Sequence, residues 1–320
     1  MTDDRDPDPD SAAESEEDEA PARGATVARF FVLPLLVVGT ALVIFFVFNL
    51  MTFERRSPAD ELAEVRGGTA NRRWQAAFEL SRTIGHMPAG QERDALSAET
   101  RRVFEGLSGK RPDDVKVRRY LVLVLGKLQD RAALPQLLAA ARDGDPETRL
   151  YAIWGLGMIG DRGAVDTVVE SSSSSDPGAR KMAAYVLGKL GDPRAGPRLR
   201  VLLGDPVADV RWNAAVALAL LHDGAGVEVL RGMADRGALA RQAALSNEQT
   251  ETAMISAFQA LALLRDPGSL ALIDRVARED PNLRVREAAR RAAEATRGSA
   301  SPPATKGSGI LERSAGVLVV

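Results

Sequence analysis

The 320-residue chain has no cysteine and only two histidines, His86 and His222. The first absence removes disulfides, Cys-ligated zinc, iron–sulfur clusters and thiol nucleophiles. The chain also lacks a G-x-S-x-G elbow, a phosphate-binding P-loop and an H-E-x-x-H motif, so no familiar catalytic or metal-binding constellation is written in it. Aromatic residues are 5% of the chain while apolar residues reach 45%, which leaves Ala, Leu and Val to do the packing and favours helices over strands. Lysine occurs only at positions 110, 116, 127, 181, 189 and 306, and the remaining basic residues are arginine. Together with abundant Ala and Gly, this usage suggests a GC-rich bacterial genome.

The net charge of −2 conceals an asymmetry. Residues 1–29 hold ten Asp or Glu against Arg5, Arg23 and Arg29, so this segment is −7 and the rest of the chain +5. Spread over so long a chain, that surplus makes no basic stripe able to neutralise a phosphate backbone, and nucleic acid is not an expected partner. Charged, Pro-containing and nearly free of large apolar side chains, residues 1–29 read as a disordered acidic tail. From Phe30 to Phe53 the chain carries no charge. A helix of about 20 such residues matches a hydrocarbon core of roughly 30 Å, so residues 30–53 are expected to form one transmembrane helix and to contact the lipid bilayer. The run is too long for a cleaved signal peptide and continues into Glu54-Arg55-Arg56, which points to an uncleaved single-pass anchor in a bacterial inner (cytoplasmic) membrane. Arg55, Arg56 and Arg66 follow the run and Arg23 and Arg29 precede it, a balance of three to two that favours the C-terminal side in the cytoplasm, with the periplasm as the alternative.

The rest of the chain is organised by a repeat. The segments RYLVLVLGKLQD, RLYAIWGLGMIGD, RKMAAYVLGKLGD and RWNAAVALALLHD align Leu125, Leu156, Leu187 and Leu218 at steps of 31 residues. Arg118, Arg149, Arg180 and Arg211 keep the same step, as do Asp130, Asp161, Asp192 and Asp223. A fixed period near 30 is the mark of a solenoid of stacked helical hairpins. Asp-Pro pairs such as Asp176-Pro177 suit a helix start, and Gly191 a helix end. The small residue at Gly126, Gly157, Gly188 and Ala219 implies close helix approach. A diverged first repeat begins at Arg73, a sixth is centred on Leu261, and an Arg-rich cap contains Arg286 and Ala293, so seven first helices are expected between residues 54 and 296. Residues 87–112 are longer than one period needs and suggest an extra helix. Residues 297–320, rich in Gly, Ser and Pro, read as a flexible tail.

The Asp-Pro-x-x-Arg opening and the Leu-Gly-x-Leu-Gly-Asp close resemble HEAT-like repeats of the phycobilin-lyase type, most closely from Arg118 to Asp192. The pattern departs where His222 and Arg265 replace the terminal Gly and Met254 the Arg. The resemblance implies an all-α solenoid serving as a scaffold or protein-binding surface; a minority of such proteins are enzymes or attach chromophores. Neither histidine is followed by Glu, so the His-Glu pairs that carry iron in the deoxyhypusine hydroxylase branch are missing and no metal or cofactor is expected.

The recurring Arg and Asp are expected to cap helices and tie neighbouring repeats, not to catalyse, and Trp74, Trp154 and Trp212 to pack within the first helices. The function read from the sequence is a membrane-anchored, non-enzymatic scaffold for a protein partner. An enzyme or chromophore-attaching protein on the same repeats is the alternative. The 12 extra residues between Leu218 and Leu261 exceed what stacking needs, so residues 235–250 suggest an ordered lid. With the cations of the preceding helix they form the expected protein-binding site: Arg194, Arg198, Arg200, Leu239, Arg241 and Leu245.

Overall fold

A computed structural model describes residues 32–52, 57–107 and 112–298. The chain divides into two units, Met1–Arg56 and Ser57–Val320. All sixteen regular elements longer than a single 3-10 turn are α-helices, and no strand occurs among the described residues.

The first unit contains α1 (Leu33–Thr52), with Pro34 in its first turn where a missing N–H costs little. Its large side chains from Leu35 to Phe48 are exposed all round, so this helix has no polar face. The expected membrane crossing is not supported here: among the described residues no helix is long and apolar enough to cross a membrane. The expected span of residues 30–53 reaches beyond the described residues at both ends. The expected tails at 1–29 and beyond Gly298 lie outside the described residues.

The second unit is the solenoid. Its first helices are α3 (Ala70–Thr83), α5 (Pro112–Leu128), α7 (Pro146–Ile159), α9 (Pro177–Leu190), α11 (Ala208–Leu220), α14 (Asn247–Leu264) and α16 (Leu283–Thr296), each packed on the next in that order. The second helices are α4 (Gln91–Glu105), α6 (Leu134–Ala140), α8 (Val165–Ser171), α10 (Gly196–Leu202), α12 (Val227–Ala234) and α15 (Leu270–Glu279). Leu80, Leu125, Leu156, Leu187, Leu218 and Leu261 are all fully buried, so the 31-residue register is the register of the core.

The local signals do what their chemistry predicts. Asp145 caps α7 by accepting from the Thr148 N–H at 2.9 Å, with Pro146 at the first helical position. Asp130, Asp161, Asp192 and Asp223 each accept from the backbone N–H two residues on, at 2.8–2.9 Å, capping the 3-10 turn that starts a second helix. Between helix and cap the backbone turns left-handed. Gly160 and Gly191 have φ of 70° and 62°, and Gln129, His222 and Arg265 adopt φ of 52°, 57° and 49° at the equivalent place. Close approach is equally plain at Gly126, where a Cβ would stand 2.7 Å from Gly155 Cα.

Two expectations change. The surplus in residues 87–112 is not an additional helix; it lengthens α4, the second helix of the first repeat. The additional helix lies earlier, at α2 (Pro58–Gly67), which packs on α3 and α4 and is started by a Ser57–Asp60 capping box. The insertion after Leu218 does form a helix, α13 (Arg236–Gln242), seated between α12 and α14.

Candidate protein-binding face

The repeated arginines are structural. In α7, α9 and α11 the Nη1 of Arg149, Arg180 and Arg211 donates to two carbonyls of the turn before its own helix: Asp143 and Gly144, Ser174 and Ser175, Asp205 and Pro206. Arg118, Arg180 and Arg73 also reach toward the start of the next first helix. Arg118 meets Asp143 at 2.8 Å, and Arg180 forks onto Asp205 through Nε at 2.7 Å and Nη2 at 3.0 Å. Arg73 bridges Asp113 and Asp114, both at 3.0 Å. Met254 holds no such bond; Arg236 of the insertion takes the place, forking onto Asp280 at 3.0 and 2.9 Å. The hydrogen bonds from Arg180 hold the Asp205 carboxyl below its ordinary range, against the opposing effect of burial. At Asp145 burial pushes the other way, and bonds from Arg119 and Thr148 outweigh it.

The six residues singled out from the sequence fall into two groups. Arg194 pairs with Asp192 at 2.9 Å and Asp166 at 3.3 Å, Arg200 pairs with Asp223 at 2.6 Å, and Arg198 donates to the Ser172 hydroxyl and carbonyl at 2.7 and 2.8 Å. Leu239 is fully buried, Leu245 packs against the core, and Arg241 is exposed. Arg194 in the turn before α10 and Arg198 and Arg200 of α10 therefore have acceptors within the chain, and the insertion contributes its leucines to packing. Among the described residues no group of His, Asp and Glu could hold a metal ion. A small apolar cleft of ≈ 250 Å³ between α2 and α4, lined by Ala59, Leu62, Ala63 and Ala95, is edged by the Arg66–Glu99 ion pair.

A different surface emerges on the first helices. Positions two and five residues before the core Leu lie roughly 140–200° around the helix from it; they are buried in α9 and α11 and partly exposed in α5 and α7. There the chain places Phe78 in α3, Tyr120 in α5, Tyr151 and Trp154 in α7, and Tyr185 in α9. Tyr185 is buried and the other four, with Trp74, are half-buried. The Phe78 and Tyr120 rings meet edge to face at 5.2 Å, and Trp154 lies over Gly126 of the preceding repeat. Trp212, by contrast, is fully inside. Cations border the rings: the Lys116 ammonium sits 5.4 Å from the Trp74 centroid, and Arg119 forks onto Asp145 at 3.1 and 3.0 Å while also pairing with Glu147. Burial raises the Tyr151 hydroxyl above its usual range, and burial lowers the Lys127 ammonium. The signal for this face was present in the sequence as aromatic residues recurring two or five residues before the core Leu.

The model of the HEAT-repeat family matches residues 107–174, 134–219 and 172–248. Residues 107–248 carry HEAT repeats. Among the solved structures that resemble the chain are the following three. An engineered protein is 15% identical, with 76% of this chain and 98% of that one covered and a TM-score of 0.43. The complex of CpcE and CpcF of phycocyanin lyase from Nostoc sp. is 18% identical, covering 82% and 95%, with a TM-score of 0.49. Human deoxyhypusine hydroxylase in complex with glycerol is 18% identical over 74% and 97%, with a TM-score of 0.28. No curated protein matches the chain.

Proposed function

We propose that this chain is a single-pass protein of a bacterial cytoplasmic membrane whose HEAT repeats form a non-enzymatic scaffold for a protein partner. The aromatic face of α3, α5 and α7 carries the proposal. Half-buried rings gathered on one face suit a protein contact, because aromatic side chains supply large contact area at low entropic cost. The repeated Arg and Asp, the side chains most suggestive of catalysis, are engaged in caps and inter-repeat ties.

Attachment to the membrane is supported by the uncharged run from Phe30 to Phe53 and by the nature of α1. Its side chains are apolar on every side, and the Thr40 hydroxyl donates to the Leu36 carbonyl of the same helix at 2.8 Å, which removes its need for water. The Arg balance around the run favours a cytoplasmic solenoid. Fusions at the C-terminus test both points. A fluorescent protein should glow there and alkaline phosphatase should be inactive; active phosphatase would place the repeats outside, and carbonate-extractable protein would remove the anchor.

A further inference from the structure

The aromatic face has properties that stacking does not require. At the registers of Tyr151 and Trp154, later repeats place Asn213 and Val216, then Ser256 and Gln259, and they still bury Leu218 and Leu261 completely. Asn213, Val216 and Ser256 are buried, whereas the rings of α3, α5 and α7 keep part of their surface open. The Tyr120 and Tyr151 hydroxyls and the Trp154 indole N–H have no hydrogen-bond partner among the described residues. All four described lysines, Lys116, Lys127, Lys181 and Lys189, lie on or beside this face, in a chain whose arginines hold the scaffold. Its carboxylates are already engaged: Glu79 pairs with Arg82, Glu147 with Arg119, and Asp209 with Lys181. Lys116 and Lys127 have no carboxylate in reach among the described residues, so the face is positive toward a ligand.

Spacing selects the shape of that ligand. Packed helix axes stand about 8–10 Å apart, so successive first helices offer a contact at that interval. A polyproline II segment returns to the same side every three residues, a rise of about 9.3 Å. A β-strand returns every two residues, about 6.6 Å, and falls out of step. Proline rings dock onto aromatic surfaces without a large entropic cost. We infer that the face formed by Trp74, Phe78, Tyr120, Tyr151 and Trp154 binds an extended, acidic, proline-rich segment of a partner protein, its prolines against the rings and its carboxylates near Lys116 and Lys127. This inference rests on the scaffold reading.

The test is fluorescence anisotropy of the full chain in detergent with the labelled peptide (Asp-Pro-Pro)4, beside (Lys-Pro-Pro)4 and (Asp-Gly-Ser)4. Only the first should bind, and Lys116→Glu and Trp154→Ala should each weaken it by about tenfold or more while Arg200→Glu does not. Because Lys116 is exposed, its variant should melt like the parent even if Trp154→Ala is poorly folded. Equal binding of (Asp-Gly-Ser)4, or binding unaffected by Lys116→Glu, would overturn the inference. So would tighter binding after removal of residues 1–24, since the chain's own Asp-Pro-Asp-Pro-Asp stretch at 6–10 would then be the occupant. A photo-crosslinker at position 151 in cells separates the two readings. An adduct to a partner segment that is neither acidic nor proline-rich leaves the scaffold standing and removes this ligand, whereas no adduct and no peptide binding remove both.

Discussion

Arg180 fastens two turns at once: Nη1 holds the Ser174 and Ser175 carbonyls below its own helix while Nε and Nη2 fork onto Asp205 before the next. The Arg180 side chain is 14% exposed and that of Asp205 6%, so neither charge is well hydrated once its partner is gone. Arg180→Ala should cost about 3 kcal/mol. Arg180→Lys should recover only part of that, because an ammonium cannot fork. Urea unfolding of the parent and both variants gives the comparison; equal stability of Lys and Arg would show that the planar geometry is immaterial.

Acid should loosen the array through the same carboxylates. Asp145, Asp205, Asp235 and Asp266 all titrate below the ordinary Asp value in the folded chain. A depressed folded value stabilises at pH above the unfolded value of about 3.9, and that contribution disappears as pH falls through the folded values. Melting temperature should therefore be flat near neutrality and fall below about pH 4. Asp205→Asn should lower stability at pH 7 and flatten the acid slope, and an unchanged slope would remove Asp205 from the explanation.

Gln129, His222 and Arg265 hold a left-handed conformation that costs an L-residue about 1–2 kcal/mol, part of which Gly returns as extra entropy in the unfolded chain. Replacing any of the three by Gly should stabilise by up to about 1 kcal/mol, and Gly160→Ala or Gly191→Ala should destabilise by a similar amount. Calorimetry of the five variants provides the check.

Helix propensity predicts that Gly126→Ala stabilises by about 1 kcal/mol, yet an added methyl would stand 2.7 Å from the backbone of Gly155. Backbone cannot yield as a side chain does, so we expect a net loss of about 1–3 kcal/mol, and a similar loss for Gly188→Ala against Ala217. For scale, Leu156→Ala should cost about 2–5 kcal/mol. A gain in denaturant midpoint at either glycine would mean the helices move apart freely.

Periodicity made much of the solenoid legible, since Leu, Asp and Arg recur wherever the same core, cap and tie recur. The seven first helices and the capping Asp130, Asp161, Asp192 and Asp223 follow from it. What failed to show is what a single repeat does alone. Helix α2 has a good start signal in Ser57 and Asp60 but no copy elsewhere in the chain. Leu239 looked available on a polar insertion, and its burial depends on α12 and α14 closing around it. The aromatic face was harder still, because a Trp two residues before a core Leu reads as core until the helix is set in the stack. Composition counted those rings without telling Trp154 from the wholly buried Trp212.

The serine run from 171 to 175 gives the array a mechanical seam. Ser174 stands where the turns before α7 and α11 carry Asp143 and Asp205, so Arg149 holds its own turn and sends no charged strut across to the turn before α9. A stack loaded from its ends behaves as springs in series, and the most compliant joint takes up most of the extension. At that register the seam is held by contacts such as Gly157 against Val186, which salt does not screen. Under tension the solenoid should lengthen first between the third and fourth repeats, where the Arg194–Asp166 pair is exposed, while the joints tied by the largely buried Arg118 and Arg180 pairs hold longer.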